Sequence, residues 1–196
     1  MNNKIDLFLD FDDTICLTSK QFVKLANKKY KKEEDWNNIN RWDFKDLYPE
    51  ITNNDIDNIF SSEDFFVDLE LCENCLDAIN YIKNLANIHI ATIGTDNNLK
   101  NKMKWIKENL NIDFNFNGIL DTGINDKSSV DMSGAIFVDD RIDNLRSSNA
   151  NIKILYKNYH NYSWQQIEPN DNIYVVDSWE QICSILDFIS KNPEFI

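Results

Sequence analysis

The sequence predicts an α/β fold, a parallel sheet flanked by helices, and three observations carry that expectation. Short apolar runs recur along the chain as strand candidates: Ile5 to Phe11, Ile88 to Ile93, Phe114 to Leu120, Ala135 to Val138, Ile152 to Tyr156 and Ile173 to Val176. Segments with apolar residues at helical spacing lie between most of them, which is the pattern of βαβ units. Two of the runs end in clustered acids: Asp10, Asp12 and Asp13 after the first, Asp139 and Asp140 after the fourth. Open parallel sheets bind ligands beyond the carboxyl ends of their strands, so these acids stand where a site belongs.

Taken in order, Ile5 to Phe11 reads as a buried strand. Thr18 or Ser19 is the expected cap of a helix running to about Lys31, with Phe22, Leu25 and Ala26 on one face. Residues 31–50 are mixed and aromatic, with Trp36, Trp42, Phe44 and Tyr48, and Pro49 breaks them. Thr52 opens a short helical pattern and Ser61-Ser62 another turn. Leu76, Ile79, Ile82 (or Lys83) and Ala86 share helical spacing, so one helix is expected across them. Asp96 is the expected cap of the next helix, with Leu99, Met103, Ile106 and Leu110 inward. Ile142 to Ser148 reads as a short helix, and Ser178 caps a last one with Ile182, Ile185, Leu186 and Ile189 inward. The stretch of roughly 60 residues between the first two strands exceeds an ordinary crossover. Residues 18–76 are therefore read as an inserted helical cap, with 1–17 and 77–196 as the core.

Composition narrows the function. The 196 residues include 33 acidic and 20 basic side chains, a formal net charge of −13. That balance works against a nucleic-acid polymer as partner, because such a footprint needs a basic stripe. A 42% hydrophobic content suffices for a core. No apolar run approaches the length of a membrane span. The start MNNKIDLFLDFDD carries acids inside its only early apolar run, so no signal peptide is expected and the expected compartment is the cytoplasm. Four cysteines (Cys16, Cys72, Cys75, Cys183) are then expected as free thiols. The one CxxC, Cys72 and Cys75, lacks a second ligand pair, and His89 and His160 are isolated, so no zinc site is expected. No GxGxxG or GxxxxGK[ST] phosphate loop occurs.

The acids are the informative residues. Asp10 and Asp12 fall at period two on the end of a buried strand, which is costly unless they bind something. If the first and fourth strands are neighbours, four or five carboxylates converge on one small volume. Like charges that close need a compensating cation. An all-oxygen ligand set suits Mg²⁺, which often also holds a phosphate. Taken alone, Asp139-Asp140 could equally cap the helix beginning near Ile142.

Asp10-Phe11-Asp12-Asp13-Thr14 fits the pattern DxDx[TV] after an apolar strand. Thr92 at the end of the second strand, Lys127 upstream of the fourth, and Phe137-Val138-Asp139-Asp140 followed by Asn144 complete a set of four motifs in order. In this the chain resembles the haloacid dehalogenase-like superfamily of phosphatases. The resemblance implies a Rossmann-like core with a helical C1-type cap between the first and second motifs. It implies Asp10 as nucleophile, forming an aspartyl-phosphate. It implies Asp12 as the acid that protonates the leaving oxygen and then activates water. Mg²⁺ is implied on Asp10, the backbone carbonyl of Asp12 and Asp140, with Asp139 holding a metal-bound water or helping directly. Thr92 would hydrogen-bond a phosphoryl oxygen, with Thr95 a neighbouring rival, and Lys127 would neutralise charge there and on Asp10. Asp13 departs from the glycine common at its position and receives no role.

Within the superfamily, the DFDDT start, the stretch Arg41 to Phe44 (RWDF) and the DKSS…IFVDDR pattern look most like the 5'(3')-deoxyribonucleotidases. That likeness implies a deoxynucleoside monophosphate as the small-molecule partner. Base stacking on an aromatic ring is worth roughly 1–3 kcal/mol. Trp42 and Phe44 are the preferred contacts, for their polar surroundings in sequence, although cap aromatics also serve as core. Arg41 is set to meet a base, a phosphate or one of the many acids. Sugar phosphates or other small metabolites are the alternative substrates, and an idle phosphate- or partner-binding module is a further alternative. The intact set Asp10, Asp12, Lys127 and Asp140 argues against the idle module, which has no need of Asp12.

Overall fold

The computed structural model describes residues 4–123, 126–157 and 163–195. Six strands form one parallel sheet: β1 (Ile5–Leu9), β2 (Ala86–Gly94), β3 (Phe114–Leu120), β4 (Ile136–Asp139), β5 (Ile152–Tyr156) and β6 (Tyr174–Val176). Their spatial order is β3-β2-β1-β4-β5-β6. β1 is central, with Leu7 registered against Ile88 on one side and Ile136 on the other. That explains its nearly continuous apolar sequence: both faces are covered, and Leu7 and Leu9 are fully buried. The chain winds from β1 toward β3 in one direction and from β4 toward β6 in the other. The loops after β1 and β4 therefore diverge and leave a crevice at their carboxyl ends. Pairing continues one residue past β1, where the Asp10 N–H donates to the Val138 carbonyl at 3.0 Å.

The helices are α1 (Thr18–Tyr30), α2 (Asn53–Ser61), α3 (Glu63–Val67), α4 (Cys75–Ile82), α5 (Asp96–Asn109), α6 (Ile142–Ser147) and α7 (Trp179–Lys191). α4 packs on α7, and α5 on β2 and β3. Trp179, fully buried on α7, donates from Nε1 to the Thr14 carbonyl at 3.2 Å and so pins the loop after β1. α1, α2 and α3 pack together around an aromatic cluster. In it Phe22 stacks on Phe44 at 3.8 Å, and Phe60 lies 4.9 Å from Phe22 and 5.1 Å from Phe65. The chain enters and leaves this group through adjacent segments. Leu17 N–H donates to the Glu70 carbonyl and Cys72 N–H to the Ile15 carbonyl, each at 2.9 Å.

Four local expectations are corrected. The single helix expected across Leu76 to Ala86 is split: α4 ends at Ile82, a turn follows, and Ala86 already pairs with Ile5 in β2. The inward face of α4 is Cys75, Ala78, Ile79 and Ile82, while Leu76 is exposed. Neither Thr18 nor Ser19 caps α1. The N-cap is Leu17, which has no capping side chain, and Asp13 reaches in from the β1 loop instead. Its carboxylate accepts from the Ser19 N–H at 2.9 Å and from the Ser19 hydroxyl. Thr95, not Asp96, caps α5 by accepting from the Asn98 N–H. On α5 Met103 is only partly buried, and Lys102 takes its place on the inward face. Thr52, Ser62 and Ser178 do cap α2, α3 and α7.

Cys16, Cys72 and Cys75 are buried and, with Cys183, unbridged. His160 lies outside the described residues. Among the described residues, no helix is long and apolar enough to cross a membrane.

Asp13 sits in the left-handed region at φ 50°, a conformation Asp tolerates better than most residues. Burial pushes its carboxyl up to about 6, against the hydrogen bonds from Ser19. A buried acid with a raised pKa binds its proton more tightly in the folded state, so it lowers stability as pH rises from about 4 to about 6. Asp13→Asn tolerates the same backbone conformation, can accept from the Ser19 N–H through Oδ1 and donate from Nδ2 to the Ser19 hydroxyl, and removes this titration. In chelator, the variant should gain on wild type by roughly 2–3 kcal/mol between pH 4 and pH 7. Urea midpoints measured across that range check this, and parallel curves for the two proteins contradict it.

Candidate functional site

Asp10 follows β1 directly, and Asp139 ends β4, the neighbouring strand, with Asp140 directly after it. All three are buried, and each can offer a carboxylate oxygen within 4.8 Å of the others. Lys127 enters from the loop before β4. The turn that carries it is tied by Asp126, which accepts from the Ser128 N–H at 3.0 Å and the Ser128 hydroxyl at 2.6 Å. The Lys127 ammonium donates to Asp10 Oδ1 at 2.5 Å and to Asp139 Oδ2 at 2.6 Å, and is fully buried. Asp139 also accepts from Asn144 Nδ2 at 3.1 Å and from the Arg141 N–H at 2.8 Å. It therefore ties off the turn into α6 while bracing Lys127. Asp140 accepts from Trp164 Nε1 at 2.9 Å.

Three carboxylates against one ammonium leave the cluster short of positive charge. Burial pushes Asp10 up to about 7, Lys127 opposing and Asp139 adding to the rise. Burial likewise drives Asp140 well above the usual carboxylate range, with Asp139 and then Asp13 reinforcing it. Burial works against the Lys127 charge, but Asp10 and Asp139 outweigh it and raise its pKa. A small divalent cation would remove the excess, and the all-oxygen donor set fits a hard one. Asp139 has its oxygens engaged by Lys127, Asn144 and Arg141, so Asp10 and Asp140 keep the most free lone pairs for such an ion.

Asp12 lies apart from this cluster. Its side chain is partly exposed, and Oδ2 is ion-paired with the ammonium of Lys102. Oδ1 is buried with no hydrogen-bond partner. Thr92 is fully buried, and its hydroxyl accepts from Lys102 at 2.9 Å and stands 3.4 Å from Asp12 Oδ2. Thr95, the rival, lines the cavity above the cluster and shares a 2.8 Å hydrogen bond with Ser61 on α2. Lys102 was not anticipated. Its signal was its spacing: it lies three positions after Leu99 and four before Ile106, on the stripe that α5 buries.

The cavity measures about 200 Å³. Asp10, Asp12, Lys127 and Asp140 line one side, and Ile56, Phe60, Phe44 and Trp42 from the α1–α3 region line another. A larger groove of about 520 Å³ runs beside α1 past Lys20, Trp36 and Glu70, away from the carboxylate cluster. Trp42 is half exposed at the cavity mouth, with the Arg141 guanidinium 5.7 Å from its ring. The polar surroundings expected of Phe44 are not found: its neighbours in sequence are polar, but the ring stacks on Phe22 and is 3% exposed. Phe44 still reaches the cavity wall. Arg41 is absent from that lining and forms a two-pronged pair with Asp43, at 2.9 and 2.8 Å.

Comparison with known proteins agrees with this geometry. A family profile described as 5' nucleotidase, deoxy (pyrimidine), cytosolic type C protein matches residues 3–192. A search of curated proteins finds no significant match. Among solved structures, a candidate phosphatase from Clostridium difficile superposes with a TM-score of 0.64 at 16% identity, over 95% of this chain and 100% of that one. A haloacid dehalogenase-like hydrolase from Streptococcus pneumoniae gives 0.63 at 11% identity, over 94% and 99%. A candidate HAD hydrolase from Bacillus subtilis bound to magnesium gives 0.56 at 12% identity, over 94% and 100%. At such identities the structural likeness concerns the fold, while the profile spans nearly the whole sequence. The chain belongs to the 5' nucleotidase, deoxy (pyrimidine), cytosolic type C family, which makes it a phosphoric monoester hydrolase, and it has the fold of the haloacid dehalogenase-like hydrolases.

Proposed function

We propose that this enzyme hydrolyses deoxynucleoside monophosphates through an aspartyl-phosphate on Asp10, with Mg²⁺ as cofactor. The observation that carries the reading is the pairing of Lys127 with Asp10 on one side of a cavity that aromatic rings line on another. The polar side suits a phosphoryl group and the ring-lined side suits a flat base. We further propose that residues 18–76 act as the cap, with 1–17 and 77–196 as the core. The paired segments Ile15–Leu17 and Glu70–Cys72 support that division.

In this reading Asp10 attacks phosphorus as the ester oxygen departs, and Asp12 gives that oxygen a proton. Asp12 then takes a proton from the water that attacks the acyl phosphate, freeing phosphate and restoring Asp10. Lys127 lowers the cost of bringing an anionic phosphate to an anionic nucleophile. Thr92 accepts from Lys102 and gives its own proton only to a 3.4 Å contact, so that proton is available to a phosphoryl oxygen. Asp10, Asp140 and the Asp12 backbone carbonyl would hold Mg²⁺, with Asp139 bracing them through Lys127. When bound, the ion would supply Lewis-acid polarisation of the phosphoryl group and the positive charge that the carboxylates lack. Trp42 and Phe44 are the proposed base contacts. Arg41, paired with Asp43 away from the cavity lining, is a weaker one.

Two outcomes follow. With Mg²⁺, a panel of nucleotide and sugar phosphates should show turnover that favours dUMP or dTMP. Chelator should abolish it, and Asp10→Asn should lower kcat by about 10³-fold or more. Turnover that survives Asp10→Asn contradicts the covalent route, and a preference for sugar phosphates contradicts the nucleotidase reading.

The second outcome concerns pH. Asp10, pushed up to about 7, binds a proton where free Asp would not. Ionising it therefore lowers the stability of the metal-free protein as pH rises from about 4 to about 7. A cation that competes with the proton removes that cost. The rise in Tm caused by saturating Mg²⁺ should grow from near zero at pH 5.5 to roughly 5 °C at pH 8. Differential scanning fluorimetry checks this, and a rise independent of pH contradicts it.

A further inference from the structure

Lys102 is the second fully buried lysine of the site, and its position needs a reason. Leu99, Trp105 and Ile106 share its face of α5, so an apolar side chain would suit the packing there. Burying an ammonium costs several kcal/mol unless it is paired and hydrogen-bonded. Lys102 is both. Its Nζ donates to Asp12 Oδ2, to the Thr92 hydroxyl at 2.9 Å and to the Ile93 carbonyl at 3.0 Å. Phe11 lies beneath it, with the ring centre 5.5 Å away. An ammonium has three protons, and all three are committed within the chain.

That commitment separates Lys102 from Lys127. Lys127 bridges Asp10 and Asp139 in the carboxylate cluster, whereas Lys102 holds one oxygen of Asp12 and leaves the other without a partner. The helix bearing Lys102 is anchored as well. Asn98 Nδ2 donates to the Phe60 carbonyl at 2.7 Å and Asn101 Nδ2 to the Ser61 carbonyl at 3.1 Å.

We propose that Lys102 is a positioning residue for Asp12. It holds the Asp12 carboxyl group in one orientation through Oδ2, so that Asp12 passes a proton to the departing ester oxygen and later accepts one from water. This rests on the reading of Asp12 as acid and base given above. In the first step the Asp10–phosphorus bond forms, the phosphorus–ester oxygen bond breaks, and the proton on the Asp12 carboxyl group moves to that oxygen. Lys102 gives up no proton in this step.

The leaving group tests the proposal. An alkyl phosphate such as dUMP needs a proton on its departing oxygen, while p-nitrophenyl phosphate releases a stable phenolate without one. The value of kcat/KM for both esters is to be compared in wild type, Lys102→Met, Lys102→Gln and Asp12→Asn, all with Mg²⁺. Both Lys102 variants should lose about 10²-fold or more on dUMP and less than about 10-fold on p-nitrophenyl phosphate. Asp12→Asn should show the same split, and inhibition by inorganic phosphate should stay within about twofold of wild type in the Lys102 variants. Equal losses on the two esters, or no loss, beside a split in Asp12→Asn overturn the role of Lys102 alone. No split in Asp12→Asn overturns the reading of Asp12 and this proposal with it. If Lys102→Met fails to fold by near-ultraviolet circular dichroism, Lys102→Gln decides. If neither folds, Lys102 is structural and the proposal fails.

Discussion

Three carboxylates buried at the ends of two adjacent parallel strands, with one lysine among them, are the constraint on which the rest of this structure depends. Asp10, Asp139 and Asp140 cannot all be ionised out of water on the strength of Lys127 alone. The surrounding structure is arranged to manage that excess. Asn144 and the Arg141 N–H satisfy Asp139, Trp164 satisfies one oxygen of Asp140, and what remains calls for a cation. In the proposed function, a cation held there would reverse the local sign and let a protein of net charge −13 receive an anionic phosphate.

The sheet makes this possible at little cost in irregular backbone. β1 and β4 are neighbours, and the winding direction changes between them, so both acidic ends open into the same crevice. Residues of the long excursion between β1 and β2 line the cavity at that crevice. The excursion is secured by Asp13 to the start of α1 and by Asn98 and Asn101 to the end of α2. The loop after β1 and the α1–α3 helices are thus mechanically linked, and Asp13, which the motif alone leaves without a role, is part of that link.

Much of this was legible in the sequence for an identifiable reason. Acids that interrupt apolar strands are conspicuous, and a periodic pattern marks each strand and most helices. What was not legible depends on distance in space. Asp13 caps α1 from five residues before the helix, so a search for a cap at the helix start finds only Thr18 and Ser19. Phe44 sits among polar residues in sequence but stacks on Phe22, which lies twenty-two positions earlier. Lys102 looks like any lysine on a charged helix until its place on the Leu99–Ile106 stripe is counted. The boundary between α4 and β2 moved because Ala86 pairs with Ile5, a contact that helical spacing cannot register.

In the proposed mechanism Asp10 carries the phosphoryl group during turnover. Acid quenching during steady-state hydrolysis, followed by borohydride reduction and peptide mass spectrometry, tests it directly. Conversion of the Asp10 side chain to that of homoserine is expected, dependent on both substrate and Mg²⁺. Phosphate release in the same samples with Asp10 unmodified, or reduction at a different carboxylate, would contradict it.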